Sequence, residues 1–118
     1  MSDTHYMHLR QGPFDKIESG LKTIEIRLLD EKRKKLKVGD RIVFQLENDA
    51  NQIVATEITD LICAPTFKKL IKKVCIRNLG CEPGTGDELA NSYYQYYSPE
   101  DEQKLGTIAI EMKKVVEK

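Results

Sequence analysis

The chain has 118 residues, of which 40% are apolar and 32% charged, with 19 Lys plus Arg against 19 Asp plus Glu. That profile fits one domain, residues 1–118, and excludes an intrinsically disordered chain. It also excludes a helical membrane protein, because no window holds the ~20 consecutive apolar residues a spanning helix needs. A net charge of zero argues against a histone-like packer of nucleic acid while leaving room for a local basic patch.

Residues 6–9 read as a short first strand with Met7 and Leu9 on one face. Gly12-Pro13 opens a helix, since a proline at the first turn loses no hydrogen bond. Phe14, Ile17 and Leu21 supply its apolar stripe, and Gly20 its C-terminal cap. Lys22 to Leu28 alternates as a strand: Ile24, Ile26 and Leu28 share one face, Thr23, Glu25 and Arg27 the other. Asp30 to Leu36 reads as a loop or a single helical turn, and Val38-Gly39-Asp40 as a turn. Arg41 to Glu47 alternates again, with Ile42, Phe44 and Leu46 inward. Asn48 to Asn51 is predicted to turn. Ile53 to Ile62 is a long β-rich run whose alternation slips midway, the mark of a bulge or of a strand bent around a barrel. Thr66 caps a helix through about Val74, and residues 76–87, with Gly80, Pro83, Gly84 and Gly86, read as an irregular loop. A helix from Asp87 or Glu88 carries Leu89, Tyr93, Tyr96 and Tyr97 at helical spacing. Ser98-Pro99-Glu100-Asp101 is a capping pattern for a further turn. A last strand follows Gly106 with Ile108, Ile110 and Met112 inward. The fold class expected is α+β: about five strands curled into a small mixed barrel, with helices packed outside.

The zero net charge hides a split. Residues 1–77 hold 15 basic and 11 acidic residues, a net of +4, whereas residues 78–103 hold six acids and no Lys or Arg. Two clusters concentrate the positive charge: Lys32 to Lys37, and Lys68, Lys69, Lys72 and Lys73 on one side of a short helix. Solvated surface and a track for a polyanion both fit them. Cys63, Cys75 and Cys81 form no CxxC pair, and the N-terminus resembles no signal peptide, so free thiols in a reduced, cytoplasmic setting are expected. His5 and His8 lie on opposite strand faces and complete no metal site, so metal: none, and no cofactor is expected.

The most informative stretch is Gly20-Leu21-Lys22-Thr23-Ile24-Glu25-Ile26-Arg27. Positions i and i+2 of a strand lie ~7 Å apart, so Glu25 and Arg27 are placed to pair, or to offer an acceptor and a donor to one ligand. A solvent-facing Glu–Arg pair fits the same alternation. The Gly-x-Lys-x-x-Glu-x-Arg pattern resembles the signature of the ASCH family (activating-signal-cointegrator homology). Leu36 to Phe44 is similar to the family's second-strand segment, and Tyr97-Ser98-Pro99-Glu100 with Gly106 to Ile110 to its helix end and closing strand. Together these cover about Tyr6 to Met112.

The resemblance implies a PUA-like β-barrel with a cleft between barrel and helices, lined by Lys22, Glu25 and Arg27, that holds RNA or a nucleotide-like ligand. Thr23, Tyr93 and Tyr97 join the candidate ligand-binding set, and Tyr93, Tyr96 and Tyr97 are read as stacking faces or as packing. One branch of the family resembles a hydrolase of N4-acetylcytidine, whose nucleophilic threonine stands where this chain has Glu25; other relatives are reported as ribonucleases. An enzyme here would use Glu25 as general base and Lys22 to stabilise an anion. A protein partner on the acidic 78–103 segment is a third possibility. No membrane partner is expected.

Overall fold

The computed structural model describes residues 3–80 and 86–115. Five strands form one mixed sheet: β1 (Thr4–Leu9), β2 (Ile24–Leu28), β3 (Arg41–Leu46), β4 (Asp49–Ala64) and β5 (Thr107–Lys114), in spatial order β1-β3-β4-β5-β2. Only β1 and β3 run parallel; the other pairings are antiparallel. The sheet curls into a half-barrel of PUA-like fold. Its two edge strands, β1 and β2, are therefore the lips of a seam. Helix α1 (Gln11–Glu18) follows β1, and α2 (Phe67–Ile71), α3 (Gly86–Ser92) and α4 (Pro99–Leu105) lie between β4 and β5.

Alternation along the strands sorts the apolar residues into two cores. The first holds Met7, Leu9, Phe44, Val54, Ile108 and Ile110, closed by Phe14 and Ile17 of α1 and by Leu36. The second holds Ile24, Ile26, Leu28 and Ala109 against Phe67, Leu70 and Ile71 of α2 and Ala90 of α3. Neighbouring residues of β5 thus enter different cores, so β5 is a wall between them, buried on both sides. On β2 the apolar residues face the second core. Glu25 and Arg27, opposite Ile110 and Ile108 of β5, face the seam side.

Several local expectations shift. Leu21 is 66% exposed and leaves the α1 stripe. Gly20 takes a left-handed φ of +85°, which turns the chain away after Ile17. Asp49 pairs with Leu46, so the predicted turn at 48–51 is a tighter one at Glu47-Asn48, the two-residue connection that suits strand twist. The slip in β4 is a register shift between Ile58 and Asp60. Thr66 Oγ1 accepts from the Lys69 N–H as expected, but α2 ends at Ile71. There the Lys73 and Val74 N–H groups bond three residues back, to Leu70 and Ile71. The tyrosine helix likewise breaks: α3 stops at Ser92, and Tyr93–Gln95 form a 3₁₀ turn. Ser98 Oγ caps α4 by accepting from the Asp101 N–H.

Cys63 and Cys75 are free and exposed. Cys81, with the part of the predicted loop at 81–85, lies outside the described residues. Glu102, one of the six acids of residues 78–103, is buried. Its carboxylate accepts from the Phe67 N–H at 2.8 Å and from the Tyr94 hydroxyl at 2.7 Å, tying α4 to the start of α2.

Candidate functional site

Lys22, Glu25 and Arg27 do meet, but in a covered place. Lys22 is 8% exposed and Glu25 7%. Lys22 sits just before β2, where its backbone bridges to Leu79. Glu25 Oε1 lies 3.4 Å from Lys22 Nζ and accepts from the Ile26 N–H at 3.2 Å. Glu25 Oε2 accepts from Arg27 Nε at 3.2 Å and Nη2 at 3.1 Å. Four donors around two oxygens fill the acceptor capacity of a carboxylate. Arg27 Nη2 also donates to the His8 carbonyl at 3.1 Å, so one guanidinium spans the seam from β2 to β1.

The electrostatics follow from this packing. Burial alone would raise the Glu25 carboxyl, but Lys22 and Arg27 outweigh it and hold the group below the ordinary value near 4.5. Burial likewise works against the Arg27 cation, and Glu25 more than compensates. At neutral pH the Glu25 carboxylate and the Arg27 guanidinium are both charged. An ionised carboxylate with depressed proton affinity and no free lone pair is a weak general base. The geometry instead makes Glu25 a clamp that fixes two cations.

Around this floor opens a cleft of about 400 Å³, within the ~300–1,000 Å³ range of small-ligand sites. Its walls come from the end of β1 and the residue that follows it (His8, Arg10), from α1 (Pro13, Lys16) and from the tyrosine turn (Tyr93, Tyr96, Tyr97). Four cations (Arg10, Lys16, Lys22, Arg27) line it against two carboxylates (Glu25, Glu47). Lys16 Nζ donates to the Gly80 carbonyl at 3.0 Å. Arg10 lies over the Tyr96 ring, its Cζ 4.4 Å from the centroid, and donates to the Tyr96 hydroxyl.

Tyr93 and Tyr97 serve two neighbours at once. Both stack on Phe67 of the second core, at centroid distances of 4.9 and 5.5 Å, and both line the cleft. Burial raises the Tyr97 phenol while nearby Arg27 pulls it down; the net shift is upward, so its hydroxyl stays protonated at neutral pH.

Of the residues singled out from sequence, Lys22, Glu25, Arg27, Tyr93 and Tyr97 come together. Thr23 does not line the cleft; its N–H and carbonyl bond to Asn78 and Met112. Arg10, Lys16 and His8 were missed as site residues, and Tyr96 was weighed as a stacking face beside Tyr93 and Tyr97. Arg10 and His8 continue the outward alternation of β1, the one signal available for them.

The first basic cluster adjoins the cleft. Arg33 and Asp30 both act electrostatically on Tyr97, and Lys32 Nζ donates to the Tyr6 carbonyl at 2.6 Å. The second cluster does not: Lys68 and Lys72 line a different hollow with Asp87 and Glu88. Among the described residues no group of three or more His, Cys, Asp or Glu is placed to hold a metal ion, and no helix is long and apolar enough to cross a membrane.

A family model described as the ASCH domain matches residues 7–116. The chain belongs to the ASCH domain family. The crystal structure of the hypothetical protein PH0355 superposes on this ASCH domain with a TM-score of 0.83 at 31% identity, covering 95% of this chain and 99% of that one. The solution structure of PF0455 from Pyrococcus furiosus gives 0.70 at 27% identity, over 97% and 99% of the two chains. An ASCH domain from Lactobacillus crispatus gives 0.63 at 14% identity, over 93% and 79%, which speaks to the fold alone. No curated protein matches the chain.

Proposed function

We propose that the seam cleft binds a nucleotide unit of RNA, or a nucleotide-like ligand, and holds it without chemistry by Glu25. The supporting observation is the state of the buried carboxylate on the cleft floor. Glu25 is saturated by Lys22, Arg27 and the Ile26 N–H. The cleft therefore presents cations and phenol groups, in excess over its acids, to whatever enters. Anionic phosphate suits Lys22, Lys16 and Arg10. A base suits the tyrosine wall, where stacking is worth ~1–3 kcal/mol per base.

Lys22 and Arg27 bind and orient in this scheme, Tyr93 and Tyr97 stack, and Glu25 positions the two cations. A cytoplasmic location accords with the exposed free thiols of Cys63 and Cys75.

The test is fluorescence anisotropy with short single-stranded RNAs across a salt series. Binding should weaken with salt at a log–log slope of about −0.7 for each phosphate neutralised. Arg10→Ala/Lys16→Ala, which changes only exposed side chains, should lose affinity and flatten the slope. A flat profile for the unaltered protein, or turnover of N4-acetylcytidine that is lost in Glu25→Gln, contradicts the proposal.

A further inference from the structure

The outer side of the half-barrel is covered unevenly. Over β5 and β2 it is buried by α2 and α3 in the second core. Along β1 the outward-facing residues are exposed to solvent. Thr4, Tyr6, His8 and Arg10 form one exposed row along β1. Two of the four, His8 and Arg10, also line the cleft, so the row leads out of the cleft along the strand. Tyr6 is 57% exposed and stands two residues beyond His8, a step of ~7 Å.

The free edge of this strand has an unusual occupancy. Asp3 and Leu9 direct their carbonyls to β3, so Tyr6 and His8, of opposite parity, direct theirs to the open edge. Both are already taken by side-chain cations: Lys32 Nζ on the Tyr6 carbonyl and Arg27 Nη2 on the His8 carbonyl. An incoming peptide strand needs those carbonyls as acceptors and would have to displace both cations. A polyanion needs none of them and gains the cations. The edge therefore favours a nucleic-acid strand over an added β-strand.

We infer that the outer rim of β1 is a second nucleotide subsite: Tyr6 stacks the base next to the one held in the cleft, and Lys32 meets the phosphate between them. The preferred ligand is then a single-stranded segment of at least two nucleotides. The inference rests on the proposed cleft and extends it by naming the ligand's length and path. Stacking on Tyr6 tolerates any base, because every base offers a π face.

The experiment compares two probes, cytidine monophosphate and the pentamer of cytidylate, on five proteins: the unaltered chain, Tyr6→Ala, Tyr6→Phe, Lys32→Ala and Arg10→Ala/Lys16→Ala. Melting curves confirm folding, which exposed side chains should leave intact. Tyr6→Ala should weaken the pentamer about tenfold and leave the mononucleotide unchanged, Tyr6→Phe should restore pentamer binding, and Lys32→Ala should make the pentamer's salt slope shallower by about 0.7. Equal pentamer affinity for Tyr6→Ala and the unaltered protein overturns the second subsite. The cleft itself is judged by Arg10→Ala/Lys16→Ala, which should weaken both probes; if it does so while Tyr6→Ala is silent, the cleft stands and the second subsite falls. If the unaltered protein binds neither probe at low salt, both fall. An extended peptide that shifts the amide resonances of β1 when the pentamer does not would reassign the edge to a protein.

Discussion

β1 and β2 are the two edge strands of the same sheet, and both alternate apolar with polar residues, yet their polar faces meet opposite fates. On β1 the polar row stays in solvent from Thr4 to Arg10. On β2 the polar row carries Glu25 into a covered seam beside Lys22 and Arg27. Alternation reports only that one face is apolar; what covers the other is decided by elements far away in sequence. On β2 those are α1, the end of β1 and the tyrosine turn. Burial of three charges in one place has a large desolvation cost, and apolar replacements of similar volume are often as stable. The binding role proposed above would account for keeping such a trio at a cleft floor despite that cost.

The largest expected effect breaks the trio on one side. Arg27→Ala removes the partner of a buried carboxylate and the bridge to the His8 carbonyl. It should destabilise by about 3–5 kcal/mol, read from urea midpoints. On the β1 side, the comparable anchor is His5, whose Nε2 lies 2.9 Å from Asp40 Oδ2. Asp40 is buried and accepts in addition from the Asp3 and Lys37 N–H groups. His5→Ala should cost about 1.5–2 kcal/mol, less than Arg27→Ala because Asp40 keeps two backbone donors.

Acid sharpens the same contrast. The Glu25 carboxyl is depressed in the folded chain, so it binds protons more weakly there than when unfolded. Its stabilisation is complete above the ordinary value near 4.5 and drains away as pH falls through the folded value. Unaltered protein should therefore lose stability on acidification more steeply than Glu25→Gln. Asp40, also depressed chiefly through its hydrogen bond to His5, is present in both and cancels from the comparison. Parallel stability curves between pH 7 and 3 would contradict the depression assigned to Glu25. The smallest effect is expected on the open face: Tyr6→Ala should change stability by no more than about 0.5 kcal/mol.

How much of this was legible in the sequence depends on the range of the cause. The cap at Thr66, the cap at Ser98 and the slip within β4 each follow from neighbouring residues and are found where expected, and the strand expected over Lys22–Leu28 forms over Ile24–Leu28. Leu21 was misassigned because a helix stripe was continued past Gly20, whose backbone turns the chain. The helix through Tyr97 was too long for the same kind of reason: spacing alone does not reveal that the backbone tightens after Ser92. Tyr93 and Tyr97 still reach both Phe67 and the cleft from the shorter arrangement.

The site divides likewise. Lys22, Glu25 and Arg27 sit in one motif and could be named together. Arg10 and Lys16 reach the cleft because β1 and β2, unpaired with each other, end up as the two lips of the seam. No local pattern carries that information. Glu25 was assigned roles as base and acceptor from its residue type, and only the four donors around it show a clamp.

On this reading the buried trio serves binding more than stability. The most direct test replaces it whole, as Lys22→Met/Glu25→Leu/Arg27→Met, and measures thermal melting and RNA anisotropy on the same sample. The prediction is a folded protein melting near the unaltered one, because no buried charge is left unpaired, with RNA affinity reduced at least about tenfold through lost phosphate contacts. A variant that melts alike and binds RNA with unchanged affinity and salt slope would contradict it.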